Sequence, residues 1–215
     1  MTACVRLTSG YSPGMGKGRL EAFSDGVIAV IITIMVLEMK VPHGSDAGAL
    51  APLVPVFLTY VLSFVFVALY WNNHHHLFHA VHKVNGATLW ANMHLLFWLS
   101  LVPFVTAWMG ENHFAPVPVA AYGVVLLGSA VAYFIMTRVL LANHARDSLL
   151  ARALGSDFKG RISVLMYVTA IAVAFTLPWL AGLLYAAVSV IWLVPDRRME
   201  NVLAAAGHGG GRSAL

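Results

Sequence analysis

The feature that most constrains this fold is a series of long apolar stretches separated by short polar ones. A helix needs roughly 20 mainly apolar residues to cross a bilayer, and four stretches reach that length: 20–41, 53–78, 87–109 and 117–141. Charged residues make up only 10% of the chain, whereas soluble domains carry about 25%. The sequence therefore predicts an all-α integral membrane protein.

The last apolar stretch, residues 162–194, is interrupted by Pro178. It is too long for one ordinary span, and a proline inside a helix removes a backbone hydrogen bond and clashes with the preceding turn. We therefore predict two short helices here, 162–177 and 179–194. Six spans result, with five as the alternative if this stretch forms a single helix.

Basic residues are distributed unevenly between the two sides of the predicted bundle. Of the 13 Lys and Arg residues, only Lys40 falls on one side. Because Lys and Arg concentrate in cytoplasmic loops, both termini of this multi-pass protein are expected in the cytoplasm, with the protein in the plasma membrane. The predicted organisation is a flexible tail over residues 1–18, a six-helix domain over 19–196 and a flexible tail over 197–215.

A cluster of mainly polar side chains falls in the cytoplasmic third of the first three predicted spans. Its members are Arg19, Phe23, Ser24 and Asp25 on the first span, His74 on the second and Asn92 on the third. Unpaired polar groups are costly in the low dielectric of a membrane, so a mutual hydrogen-bond network is expected. It would hold the first helix in place, with Arg19 and His74 as the leading partners of Asp25.

The histidines at the end of the second span allow a competing interpretation. His75 and His79 are four residues apart, a helical spacing that can bind a metal. However, acidic residues are scarce and the single cysteine, Cys4, is far from them in the sequence. We expect no metal or other cofactor, and we interpret the outermost histidines as polar residues of the membrane interface.

One face of the first helix is apolar. At about 100° of rotation per residue, Val30, Ile34 and Leu37 form a stripe with Thr33 at its edge. Spacing alone favours packing against lipid or another helix over a pore lining. Glu38 follows the stripe and is either a cation-attracting group at an outer entrance or a solvated interfacial acid.

Motifs of soluble enzymes do not occur in the sequence. It has no glycine loop for nucleotides, no Ser/His/Asp arrangement and no paired catalytic carboxylates. The basic residues are explained by membrane orientation, so neither an enzyme nor a nucleic-acid partner is indicated.

The order of these residues resembles the transmembrane protein 175 family of potassium channels. The run Arg19-x-x-x-Phe23-Ser24-Asp25 before an apolar segment is similar to the signature of that family's first helix. Further matches follow in order: Trp71-x-x-His74, Asn92 and Pro103-Phe104. The resemblance covers residues 19 to about 110 and the remainder only through the number of spans.

The resemblance implies a homotetramer in which each subunit has one six-helix repeat. The tetramer would lie among membrane lipids and conduct potassium ions. The first helix would line the pore, with Val30 at an isoleucine constriction, Thr33 at a threonine layer and Ile34 and Leu37 at further apolar rings. Val30 is smaller than the isoleucine usual there, and Glu38 is unusual at the outer end. We predict a potassium-selective leak channel with a hydrophobic constriction. The alternatives are a histidine-based metal- or haem-binding membrane protein and a secondary transporter.

Overall fold

The computed structural model describes residues 16–81, 84–143 and 158–194. These ranges contain one 3₁₀ helix, Ala47–Leu53, and seven α-helices, with no strand among the described residues. The helices are α1 Lys17–Leu37, α2 Val54–His79, α3 Gly86–Ser100, α4 Val102–Glu111, α5 Pro116–Ala142, α6 Phe158–Ala174 and α7 Pro178–Leu193.

The third span consists of two helices rather than the single helix predicted over residues 87–109. α3 ends at Ser100 and α4 begins at Val102. Pro103 explains the break, because it has no N–H to donate to the preceding turn and its ring clashes with the carbonyl four residues earlier. The chain continues in the same direction, and the interrupted span runs over Gly86–Glu111. With α3 and α4 counted together, the described α-helices therefore form six helical segments, the number that the sequence predicts.

Two other boundaries differ from the prediction. The first helix ends at Leu37, whereas the apolar stretch was expected to continue as a helix to residue 41. The backbone N–H of Glu38 still bonds the carbonyl of Ile34, and the helix stops ahead of Pro42. The second span is extended before its start by the 3₁₀ helix, whose first turn is capped by the Asp46 side chain.

Four of the spans are long and apolar enough to cross a membrane: Lys17–Leu37, Ala47–His79, Gly86–Glu111 and Pro116–Ala142. The other two, α6 and α7, have 17 and 16 residues. They pack along each other and are joined by three residues ahead of Pro178, as the proline predicts. The predicted tails lie outside the described residues, except for residues 16–18, where α1 begins at Lys17.

The packing places α5 at the centre of the subunit and α1 at its edge. α5 contacts α3, α4, α6 and α7, whereas α1 contacts α2, α3 and α4. Close contacts with glycine hold some of these helices together. A Cβ atom at Gly128 of α5 would lie 2.4 Å from the ring of Trp98 on α3, so only glycine allows this approach.

Candidate functional site

Three helices meet in a buried hydrogen-bond network of Ser24, His74 and Asn92, called here the imidazole network. The Asn92 side-chain nitrogen lies 2.9 Å from Ser24 Oγ, and Asn92 Oδ1 lies 2.8 Å from His74 Nε2. All three side chains are at most 2% exposed. The network therefore joins α1, α2 and α3 through a single asparagine on α3.

The direction of donation in this network follows from the chemistry of its groups. An amide oxygen only accepts, so the Nε2 atom of His74 carries the proton that bonds Asn92. Asn92 donates in turn to Ser24, and Ser24 donates to the carbonyl of Leu20 at 2.9 Å. The result is a one-way chain of donors that ends on the α1 backbone.

Asp25 bonds a different residue from those that the sequence favoured. Its Oδ1 atom accepts a hydrogen bond of 2.9 Å from the indole Nε1 of Trp71 on α2. His75 stacks on the Trp71 ring, with 5.8 Å between the ring centres. Asp25 is thus tied to the second span, as the polar cluster predicts, but through Trp71 and not through Arg19 or His74.

The two remaining members of the predicted cluster lie outside the imidazole network. Arg19 is exposed at the start of α1. Phe23 is 51% exposed and lines the same side of α1 as Val30 and Ile34. Of the six predicted side chains, the structure joins three in one network, pairs Asp25 with Trp71 and leaves two at the surface.

The predicted stripe lies on the exposed face of α1. Val30, Thr33, Ile34 and Leu37 are all exposed in the single subunit, with Val30 at 54% and Leu37 at 80%. The buried face of the same helix is formed by other residues: Leu20, Ser24, Ile28, Ile31 and Met35. One side of α1 therefore packs inside the subunit, and the other side is an exposed, mainly apolar surface.

Thr33 adds oxygen to this apolar face. Its hydroxyl donates to the carbonyl of Val30 at 2.9 Å. Because the proton is directed to the backbone of its own helix, the lone pairs of the oxygen are available on the exposed side. Thr33 thus offers an acceptor atom one turn above Val30.

A groove runs beside the exposed face, between α1 and the interrupted third span. Its volume is about 1030 Å³, and Val30 and Ile34 line one wall while Phe104 and Trp108 line the other. Most of the lining is apolar, and Glu38 lies at one end. Val30 and Ile34 therefore lie in a concave surface, whereas Thr33 and Leu37 are exposed outside its lining.

Charged residues gather where α1 ends. Glu38 is exposed there, and the Lys40 Nζ atom lies 2.7 Å from Glu111 Oε1 at the end of α4. This hydrogen bond and the charge of Glu111 raise the pKa of Lys40. The sequence analysis does not predict a role for Glu111, because residues 40 and 111 are far apart in sequence and come together only in the folded chain.

The histidines do not form a metal centre among the described residues. His75 lies near both His76 and His79, with ring centres 5.7 Å apart in each pair. No group of three His, Cys, Asp or Glu side chains with metal-binding geometry occurs in the described ranges, from which His82 and Cys4 are absent.

Comparison with known proteins gives a consistent assignment. A family model described as the endosomal/lysosomal potassium channel TMEM175 matches residues 19–103. A potassium channel of Chryseobacterium sp. (strain P1-3) is 56% identical over 189 residues, which cover 88% of this chain and 98% of that protein. The chain belongs to the TMEM175 family. The predicted resemblance is therefore confirmed.

A solved structure extends the assignment to the fold. The crystal structure of a lysosomal potassium-selective channel TMEM175 homolog from Chamaesiphon minutus superposes with a TM-score of 0.71 at 29% identity. The match covers 83% of this chain and 96% of that one. This chain is thus a multi-pass, six-helix membrane protein of a channel family, and by name and fold the family is not one of enzymes.

The family also includes proteins named for another ion. The human endosomal/lysosomal proton channel TMEM175 is 40% identical to this chain over 85 residues. The match covers 34% of this chain and 17% of the human protein. The similarity to the human protein is therefore confined to a part of this chain, and the names of the relatives include both potassium and proton channels.

Proposed function

We propose that this protein is a potassium-selective channel of the leak type. Four copies surround a central pore, and α1 of each copy lines it. The channel lies in the plasma membrane with both termini in the cytoplasm, and the six-helix domain over residues 19–196 is flanked by flexible tails over 1–18 and 197–215.

The observation that carries this proposal is the two-sided character of α1. One face is buried and hydrogen-bonded to α3 through Ser24 and Asn92. The other face exposes Val30 and Ile34 along a groove. One subunit has a single helix of this kind and cannot enclose a pore alone, and closed cyclic symmetry is the ordinary solution for identical subunits.

Permeation in this arrangement depends on hydration. Val30, Ile34 and Leu37 would form stacked apolar rings over about 10 Å, at 1.5 Å per residue. Such rings offer no charge or carbonyl oxygen to replace the hydration shell of an ion, and they can close by dewetting. A potassium ion is more weakly hydrated than a sodium ion and crosses at lower cost. The hydroxyl oxygen of Thr33 would contact the ion or its water beside the narrowest ring.

The imidazole network has a positioning role in this proposal. It fixes the buried face of α1, and so it sets the direction in which the opposite face points. Asp25 adds a second link to α2 through Trp71, while Arg19 and Phe23 lie where α1 would meet neighbouring subunits at the cytoplasmic end. Glu38 would attract cations at the outer end.

The decisive experiment measures ion flux into proteoliposomes that contain the purified full-length chain. We expect a potassium flux several times the sodium flux, and a mass in detergent equal to four chains. Proton flux is measured in parallel, because the human relative is named as a proton channel. A protein that carries protons but no potassium, or that conducts as a monomer, would contradict the proposal.

The constriction is tested by replacing Val30 with asparagine. Four amides at the narrowest ring would hold water there, lower the dewetting barrier and reduce the preference for potassium over sodium. We expect the potassium-to-sodium flux ratio to fall at least about threefold, which corresponds to about 0.65 kcal/mol at 1.36 kcal/mol per factor of ten.

A matched control for this substitution is Val168→Asn on α6. Val168 is 51% exposed, close to the 54% of Val30, and it lies on a helix remote from α1. It should leave the ratio unchanged. If Val30→Asn also leaves conductance and selectivity unchanged, the stripe is a packing surface and the pore lies elsewhere.

A further inference from the structure

The ion pair at the end of α1 joins the two walls of the groove. Lys40 follows α1, and Glu111 ends α4, so their 2.7 Å contact connects the pore-lining helix to the third span. The side chains are 80% and 45% exposed. Exposed pairs of this kind contribute little to stability, so the main physical effect of this pair is on the local electrostatic potential.

Both acidic residues at this end face the same space. Glu38 and Glu111 line the groove that continues to Val30 and Ile34. Glu38 lies one residue beyond the predicted stripe, and Glu111 lies across the groove from it. An ion that approaches the stripe from this end therefore passes two carboxylates, and Lys40 compensates the charge of one of them.

We propose that Lys40 determines the conductance of the channel by setting the charge of its outer mouth. This inference rests on the proposed function. Glu38, Lys40 and Glu111 together carry a charge of −1 per subunit, or −4 in a tetramer. Without Lys40 the same mouth would carry −8, and without Glu111 it would carry zero.

The charge state needed for this role is secure at neutral pH. Neutral pH is far below the ordinary lysine pKa of about 10.4, so Lys40 is charged. Its hydrogen bond with Glu111 raises that pKa further. His43 and Asp46 are also exposed in the segment after α1, and they are the same in every variant considered below. Differences between variants therefore report the Lys40–Glu111 pair.

The test compares four variants of the full-length channel: Lys40→Gln, Glu111→Gln, the double variant Lys40→Gln/Glu111→Gln, and Lys40→Arg. Single-channel potassium current is recorded in excised patches, where every channel has the same orientation, with potassium entering from the Glu38 side. Recordings use about 0.1 M and about 1 M salt, for which the screening lengths are about 10 Å and 3 Å.

The charges predict an order of currents. At about 0.1 M salt, four added charges change the local cation concentration about twofold if each stands about 12 Å from the pore axis. Lys40→Gln should therefore double the current, and Glu111→Gln should halve it. The double variant and Lys40→Arg should match the unmodified protein, since both keep −4. At about 1 M salt all differences should disappear.

Other outcomes separate the alternatives. If the pair is instead a mechanical clamp, both single variants and the double variant change the current in the same direction, with no dependence on salt, and the proposal is overturned. Equal currents in all variants at low salt overturn it as well. Absence of any potassium current in the unmodified protein would count against the proposed function itself, which distinguishes the two failures.

Discussion

The two halves of the third span are held in place by different side-chain chemistry. α3 is tied to α1 and α2 by the imidazole network, in which His74 donates to Asn92 and Asn92 donates to Ser24. An amide and an imidazole each need fixed orientations, since their donors and acceptors cannot rotate independently. This half of the span is therefore joined to its neighbours in one geometry.

α4 is tied to α2 and α5 by a second buried chain, called here the hydroxyl network. Ser63 Oγ lies 2.7 Å from Thr106 Oγ1 and 3.0 Å from the hydroxyl of Tyr122. Thr106 donates to the carbonyl of Val102, so Ser63 must donate to Thr106 and Tyr122 to Ser63. Like the imidazole network, this chain runs one way and ends on a backbone carbonyl.

The difference lies in what each chain holds. Among the described residues, α1 makes side-chain hydrogen bonds to other helices only through the imidazole network and the Asp25–Trp71 contact. α4 and α5 are also secured by extensive apolar packing, in which Met109, Val119 and Leu126 are at most 1% exposed. α1 also buries Leu20, Ile28, Ile31 and Met35. The comparison indicates that its apolar packing is supplemented by directional bonds of an amide and an imidazole, whereas the packing of α4 and α5 is supplemented by hydroxyl bonds.

The largest effect is expected from Asn92→Ala, which removes the centre of the imidazole network. The substitution breaks both links between helices and leaves the buried Nε2–H of His74 without an acceptor. A buried unsatisfied group costs about 1–3 kcal/mol, and with the cavity the expected loss is about 2–4 kcal/mol. Thermal unfolding in detergent and the fraction of protein that elutes as an assembled oligomer measure it.

The control for this substitution is the adjacent residue. Met93→Ala removes a larger side chain from the same turn of α3, but Met93 is 44% exposed and faces away from the core. It should lower the unfolding temperature much less. Equal losses for Asn92→Ala and Met93→Ala would mean that the network does not position α1.

The imidazole network could be anticipated from the sequence because its residue types are rare in membrane spans. An asparagine and a histidine within apolar stretches are costly unless paired, and Ser24 lies at the matching depth. Trp71 belongs to the run that resembles the family, but the sequence does not indicate its hydrogen bond to Asp25. That bond depends on the rotation of α2 relative to α1. No pattern within either helix specifies that rotation.

The hydroxyl network could not be anticipated in this way. Serine and threonine are tolerated anywhere in a helix, because the hydroxyl can bond a carbonyl of its own helix. Ser129 and Thr137 do so, with bonds to Val125 and Phe134. In sequence these residues look the same as Ser63, so tertiary contacts alone show which hydroxyls join two helices.

An intermediate effect is expected from Ser63→Ala, which removes the centre of the hydroxyl network. Thr106 keeps its bond to Val102, and only the Tyr122 hydroxyl loses its partner. Hydrogen bonds between membrane helices contribute about 0.6 kcal/mol on average, so two of them predict a loss of about 1–2 kcal/mol in unfolding free energy. Denaturant titration in mixed micelles measures this loss.

Ser129→Ala provides a matched control for that measurement. Ser129 is also fully buried on an apolar helix, but its hydroxyl bonds only Val125 of the same helix. The change in volume is identical, so the difference between the two variants isolates the links between helices. If Ser63→Ala costs as much as Asn92→Ala, the proposed contrast between the two halves of the third span fails.

The smallest effect is expected from Trp71→Phe, which removes the indole N–H that bonds Asp25 and keeps an aromatic ring beside His75. Trp71 is 43% exposed and Asp25 is also exposed, so water can replace the lost donor. The expected loss is about 0.5 kcal/mol, near the lower end for a single hydrogen bond. Trp90→Phe on the exposed surface of α3 is the control, and the unfolding temperature is the readout.

Asp25→Asn keeps the oxygen that accepts the hydrogen bond from Trp71 and should leave the unfolding temperature unchanged. A loss for Trp71→Phe as large as that for Asn92→Ala would show that neighbouring subunits bury this contact, which would add it to the bonds that position α1.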